Sequence, residues 1–276
     1  MFNYFWNQVD GVGKFWVNQI LYTLRVLQMV YLSFRATMLD QAQGLKTVFS
    51  VVSAQIYFTG FQAMALISVL ALTTGSVLIL QGMGNLSLLG GSQMIGSFLV
   101  VVLVREAAPL LTALVVIARS GTAVASEVGN MRANREIEAL ESMGINPLSF
   151  IVFPRILGGV VSVMCLAFYF TAIALVGGFF ATKGFHNLPF SFYADSLLNS
   201  LAKEDVIIFV LKNGFSGMII FVICCYQGLS VKKSPHEVPQ VTTDAVVKCV
   251  IYVTIFNLVV TALFYLRQLQ QLGVIS

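Results

Sequence analysis

The sequence predicts an all-α integral membrane protein. It reads as about five transmembrane helices, an N-terminal amphipathic helix lying in the membrane interface, and a short capped helix in a cytoplasmic loop. Three observations carry this. Hydrophobic residues make up 58% of the chain and charged residues only 10%, against about 25% charged in an average soluble domain. So few charges cannot cover a water-facing surface, and a mean hydropathy of +0.87 agrees. From Thr47 to Val104 there is no Asp, Glu, Lys or Arg, and about 20 apolar residues suffice to cross a bilayer core.

The N-terminal region, residues 1–55, is the interfacial or elbow region. Ile20, Leu24, Leu27, Tyr31, Phe34 and Met38 recur at alternating spacings of four and three, one stripe of a helix. Phe2, Phe5, Trp6, Phe15 and Trp16 add an aromatic cluster upstream, while Asp10, Arg25, Arg35 and Asp40 interrupt the pattern too often for a span. The reading is a helix in the cytoplasmic interface with its rings at headgroup level. A soluble helix packed on a partner is the alternative. Met1 to Lys14 show neither the pattern of a signal peptide nor that of a transit peptide.

The membrane domain follows over residues 56–272, with spans near 57–80, 94–118, 156–182, 206–229 and 246–266. The glycines of Gln81-Gly82-Met83-Gly84-Asn85 and of Gly90-Gly91 predict the turn between the first two spans. Basic residues then orient the chain. With the N-terminus inside, Lys14, Arg25, Arg35, Lys46, Arg119, Arg132, Arg135, Arg155, Lys232, Lys233 and Lys248 face the cytoplasm, whereas Lys183, Lys203 and Arg267 face out. The inner set is far the larger, which places the N-terminus in the cytoplasm and the C-terminus outside. No internal repeat is visible, so a second transporter half would come from a second chain.

Several chemistries are not written in the chain. Its 4 cysteines sit in apolar stretches without CxxC spacing, and 2 histidines are too few for a His-based metal site. There is no GxxxxGK[ST] phosphate loop, and Gly214-Phe215-Ser216-Gly217-Met218 misses the GxSxG nucleophile elbow at its last position. HExxH is absent too. The basic residues are scattered rather than gathered into a nucleic-acid patch. We therefore expect neither catalysis nor a bound cofactor or metal in this chain.

The stretch from Arg119 to Arg155 is the most informative. Gly121, Ala125 and Gly129 recur every fourth position, a small-residue stripe that lets two helices approach closely. Next comes a short helix, with Asn134 as N-cap and Glu136 and Glu138 in its first turn near the positive dipole end. Gly144 stops it in a left-handed conformation and Pro147 follows. Ile137, Leu140 and Met143 share one face; Arg135, Glu138 and Glu141 lie elsewhere around it. Such a helix is either an ordinary surface element or a docking piece for a motor subunit.

A second constellation lies within the membrane: Arg105-Glu106, followed by Pro109, in the second span, and Lys212 in the fourth. An ionised side chain at mid-bilayer costs roughly 2.5–3.5 kcal/mol on the insertion scale, so such residues are kept for pairing or for a polar cavity. Sequence neighbours on a helix point about 100° apart, so one of Arg105 and Glu106 packs on another helix while the other lines a cavity. Lys212, about two turns in from the outer end, either snorkels outward or meets Glu106. The trio reads equally as a buried structural salt bridge, or as a relay in an ion-coupled carrier or channel.

The pattern Arg119, Gly121, Glu127, Gly129, Met131, Arg132, Ile137, Ala139, Leu140, Met143, Gly144, Pro147, Pro154 and Arg155 resembles the signature of the MlaE/YrbE family of ABC transporter permeases, which pair with MCE-domain proteins. Weaker similarity continues over residues 50–265. Departures are Ile117-Ala118 and the Ala107-Ala108 that precedes Pro109. The resemblance implies a homodimeric subunit moving lipid, by default phospholipid, between the inner membrane and a periplasmic MCE-domain protein. ATP and Mg would sit on a separate cytoplasmic ABC ATPase, with a small STAS-like subunit bound to it. Residues 134–144 become the coupling helix, with Arg132, Arg135, Glu136, Glu138, Leu140, Glu141, Met143 and Gly144 at the ATPase. Arg119, Gly121, Ala125, Glu127, Gly129 and Pro147 become packing positions. The family's lipid cavity lies between two copies and opens outward, which puts Glu106 and Lys212 on its charged lining with Arg105 adjacent. Lys212 and Arg105 would take the headgroup and Glu106 would orient them. The ion-coupled carrier or channel stays as the rival.

Overall fold

A computed structural model describes residues 2–39, 45–88, 95–185, 190–232 and 234–271. In chain order the helices are α1 (Phe2–Leu39), α2 (Leu45–Thr59), α3 (Met64–Leu88), α4 (Ile95–Leu99), α5 (Ala108–Val116), α6 (Thr122–Ala133), α7 (Glu136–Ser142), α8 (Phe153–Phe185), α9 (Phe190–Ser200), α10 (Lys203–Leu229) and α11 (Val238–Gln271). Among the described residues all regular structure is helical, and 5 helical runs are long and apolar enough to cross a membrane. They are Phe49–Gly84, Gly96–Ala133, Leu148–Ala181, Lys203–Leu229 and Pro235–Gln270. The chain is an all-α, multi-pass membrane protein.

The spans run longer than the sequence pattern predicts. Gly96–Ala133 has 38 residues, about 57 Å at 1.5 Å per residue, against roughly 30 Å of hydrocarbon. The stretch from Arg119 to Arg132 is therefore the projecting end of the second span. The turn expected at Gln81–Asn85 is not made, because α3 continues to Leu88. Gly82 instead leaves room for the Phe98 ring, which would stand 2.6 Å from a Cβ placed there. Gly90-Gly91 lie outside the described residues. The first span begins at Phe49, inside the region assigned to the interface, and breaks at Gly60, where a 3₁₀ turn (Phe61–Ala63) separates α2 from α3.

Lipid offers helices no hydrophobic reason to associate, so close packing of small residues must do it. Here α8 is the hub, lying along α2, α3 and α10, while α10 also packs on α6 and α11. At the α3–α8 seam a Cβ on Gly75 would lie 2.2 Å from the Ala174 carbonyl oxygen. The backbones themselves touch there. Around these seams Ile67, Leu103, Phe170, Ile220 and Phe221 are fully enclosed.

Helix α1 lies against the bundle by one face only. Met29 and Ser33 are buried, and Ser33 Oγ donates to the Leu148 carbonyl at 3.0 Å. Gln227 Nε2 donates to the Tyr22 hydroxyl at 3.1 Å, and Lys248 Nζ stands 4.6 Å from the centre of the Tyr22 ring. Ile20, Leu24, Leu27, Tyr31, Phe34 and Met38 are all exposed, although the Phe34 ring also stands 6.1 Å from that of Phe153. An uncovered apolar stripe of this length suits the membrane interface, not water. The aromatic side chains of Phe2, Phe5, Trp6, Phe15 and Trp16 lie outside the described residues.

Candidate functional site

Arg105 and Lys212 each lie about 14 Å along the helix axis from the starts of their spans, Gly96 and Lys203, at 1.5 Å per residue. Arg105 and Glu106 belong to a π-helical segment, Val100–Ala107, that ends just before Pro109. Proline has no N–H to offer the carbonyl four residues back, which here is that of Arg105. Lys212 Nζ donates to this carbonyl at 2.8 Å. The same ammonium donates to both Glu106 carboxylate oxygens at 3.0 Å and to Thr261 Oγ1, on α11, at 2.8 Å. An ammonium has three protons, so Lys212 is saturated. Its side chain is 1% exposed, whereas that of Glu106 is 41% exposed.

Arg105 turns the other way, as the roughly 100° step between neighbours requires. Its Nη2 stands 2.6 Å from Asp205 Oδ1, and its guanidinium lies 4.8 Å above the Phe264 ring. Asp205 is fully buried, and its second oxygen accepts from the Ala202 N–H at 3.0 Å, capping the start of α10. Two ion pairs joining the second and fourth spans thus stand side by side: Arg105 with Asp205, and Lys212 with Glu106. The Thr261 hydroxyl joins the second pair, with Glu106 oxygens at 3.0 and 3.1 Å. Of the four ionised groups Glu106 alone is substantially open to the outside.

At the far end of the second span α6 passes into α7 through Asn134 and Arg135. Asn134 is not the N-cap. That place falls to Arg135, in the left-handed region at φ 61°. Because α6 runs on to Ala133, Asn134 serves as its C-cap and its side chain reaches only to Glu136, at 3.4 Å. A non-glycine residue in this conformation costs about 1–2 kcal/mol, so the hinge before α7 holds strain. Gly144 takes the left-handed conformation at φ 76°, with Gly144 N–H to the Glu141 carbonyl and Ile145 N–H to the Leu140 carbonyl, both at 3.0 Å. This pair of bonds is the Schellman stop. On α7, Ile137 is buried against the bundle and Leu140 half-buried; Arg135, Glu136, Glu141 and Met143 are exposed.

Ala125, Gly121 and Gly129 are buried where α6 meets α10 and α11, the last within 3.3 Å of Val231 and Val238 for an added Cβ. Glu127, on the opposite side of α6, takes both Nη groups of Arg155 at 2.7 and 3.0 Å. Arg119 reaches across the Gly60 break, donating to the Phe58 carbonyl of α2 at 2.9 Å and to Gln62 Oε1 of the 3₁₀ turn at 3.0 Å. Arg132 is half-buried at the end of α6, and Pro147 precedes a further π-helical stretch, Leu148–Val152, that leads into α8.

The family model for Permease MlaE matches residues 52–263, which reach into every span and contain both clusters. The chain belongs to the MlaE permease family. Among relatives, a probable ABC transporter permease protein of Rickettsia bellii is 32% identical over 219 residues, 79% of this chain and 84% of the relative. The intermembrane phospholipid transport system permease protein MlaE of Haemophilus influenzae is 25% identical over 260 residues, 94% of this chain and 98% of that protein. The chloroplastic protein trigalactosyldiacylglycerol 1 of Arabidopsis thaliana is 24% identical over 211 residues, 76% of this chain and 60% of that one.

In this MlaE-family permease the structure brings Arg105, Glu106 and Lys212 to one place, and sets the residues of 132–144 and the Arg119–Pro147 packing positions elsewhere. Sequence reasoning missed Asp205 and Thr261. Asp205 was legible: it precedes Lys212 by two helical turns, so both lie on one face. Thr261 was not, because a hydroxyl in an apolar helix ordinarily bonds its own backbone, as Thr261 also does with the Asn257 carbonyl at 2.9 Å.

The Gly144 stop gives a direct test of the α7 geometry. Gly144→Ala is expected to lower unfolding free energy by about 1–2 kcal/mol, since an added Cβ is disfavoured at that φ. Gly144→Asn should recover roughly half, because asparagine tolerates the left-handed region. Thermal unfolding of the purified protein in detergent measures both.

Proposed function

We propose that this chain is the permease subunit of an ABC transporter that moves phospholipid between the inner membrane and a periplasmic MCE-domain protein. Two copies form the cavity, and ATP with Mg is bound by a separate cytoplasmic ATPase that docks on α7, with a STAS-like subunit on that ATPase. The N-terminus is cytoplasmic and the C-terminus periplasmic, following the distribution of basic residues. The observation that carries the reading is the Lys212–Glu106 pair, a buried cation behind a half-open carboxylate on an otherwise apolar wall. A lipid phosphate arriving at Glu106 can take its place as the counterion of Lys212, while the apolar wall takes the acyl chains. Charges so placed in a span are costly, which points to a task of this kind. The names of the Rickettsia and Haemophilus relatives support the same reading.

Vesicles holding the purified complex test it. Transfer of labelled phospholipid to an acceptor MCE-domain protein is expected only when the ATPase subunit and MgATP are present. Ion flux through the permease alone, with no lipid transfer under any condition, would put the charge relay in its place.

A further inference from the structure

We infer that Arg119 and Arg155 are positioning residues that lock α2 to the projecting end of the second span, so that a displacement of α7 reaches the joint between α2 and α3. The inference rests on the ATPase-driven transport proposed above. Only Asn134 and Arg135 separate α7 from α6, so what moves α7 moves α6. On α6, Glu127 holds the Arg155 guanidinium of α8 through two bonds at 2.7 and 3.0 Å. The same guanidinium donates to Gln55 Oε1 at 2.9 Å, and Gln55 Nε2 donates to Thr59 Oγ1 at 2.8 Å. Gln55 and Thr59 are both buried, so a polar connection that starts at the half-exposed Glu127 carboxylate ends inside α2.

One turn further on, Arg119 makes its two bonds to the Phe58 carbonyl and to Gln62, its guanidinium 5.2 Å above the Phe58 ring. Gln55, Phe58 and Thr59 lie in the last turns of α2 and Gln62 in the 3₁₀ turn just past Gly60, so Arg155 holds the end of α2 and Arg119 spans the joint itself. Arg119 binds where α2 ends at the Gly60 break, and a helix C-terminus favours a cation through its exposed carbonyls and dipole. A planar guanidinium fork sets the angle of the contact as well as its distance, which an ammonium does not. Beyond the break, α3 carries the Gly75 seam with α8. Turning the joint therefore swings the rest of the first span.

The test uses the full complex with its ATPase in lipid nanodiscs, comparing wild type with Arg119→Lys, Arg155→Lys and Gln55→Ala. ATP hydrolysis is expected to stay within about twofold of wild type while lipid transferred per ATP falls about tenfold, the size of a typical coupling between sites. Amide hydrogen exchange over residues 55–63 should respond to nucleotide in wild type and stop responding in Arg155→Lys. Exchanging the pair, Glu127→Arg with Arg155→Glu, should restore part of the response. Wild-type lipid transfer per ATP in the variants overturns the inference, as does parallel loss of hydrolysis and transfer. A wild-type complex that hydrolyses ATP yet moves no lipid overturns the transport reading instead. The exchange data then still judge the clamp, and a nucleotide response that persists in Arg155→Lys refutes it.

Discussion

Glu106→Ala is expected to cost roughly 3–5 kcal/mol of unfolding free energy, the usual cost of stranding one member of a buried ion pair. Lys212→Met should cost less, about 1–2 kcal/mol. The difference follows from which charge is left behind. Without Glu106, an ammonium whose side chain is 1% exposed keeps only the Arg105 carbonyl and the Thr261 hydroxyl. Without Lys212, the remaining carboxylate is 41% exposed and still accepts from Thr261. Removing both, as Glu106→Ala with Lys212→Met, should restore most of the loss, because a neutral pair has no uncompensated charge. Unfolding of the four proteins in one detergent closes the cycle. A Lys212→Met loss equal to or above that of Glu106→Ala would contradict the burial asymmetry. Under the transport reading Lys212→Met also retains less phospholipid on purification, even though it is the milder change for the fold.

The second large effect is at Asp205. Asp205→Ala is expected to cost roughly 3–5 kcal/mol, since it leaves a mostly buried Arg105 guanidinium without its counter-charge. It also removes the acceptor for the Ala202 N–H at the start of α10. Asp205→Asn keeps an oxygen for that N–H and should therefore be milder by about 1 kcal/mol, the worth of an N-terminal cap. Thermal unfolding separates the two variants. Equal losses would mean that the cap contributes nothing, and a negligible loss in both would remove the ion pair from the account of stability. The Phe264 ring offers Arg105 a weaker substitute partner, so neither variant is expected to unfold the bundle outright.

The number of spans, the outward stripe of α1 and the glycine stop at Gly144 were all legible without a structure. Each depends on local chain properties: the transfer of some 20 residues into hydrocarbon, the 3.6-residue period, and a φ that only a residue without a Cβ adopts easily. Helix ends were less legible. Gly82 and Gly84 read as a turn, yet α3 passes through them, because the helix keeps its backbone bonds and the absent side chain admits Phe98. Asn134 read as a cap, yet Arg135 took the place, because α6 extended to meet it.

From sequence alone, then, the chain determined that it spans a membrane five times and that it carries a costly set of charges inside it. Tertiary structure decided which charge meets which: Lys212 with Glu106 and Thr261, Arg105 with Asp205, Arg155 with Glu127 and Gln55. Such pairings depend on the rotation of each helix about its own axis and on its axial register against its neighbours. Those are set by the summed packing of seams such as Gly75 on Ala174, which no local pattern encodes.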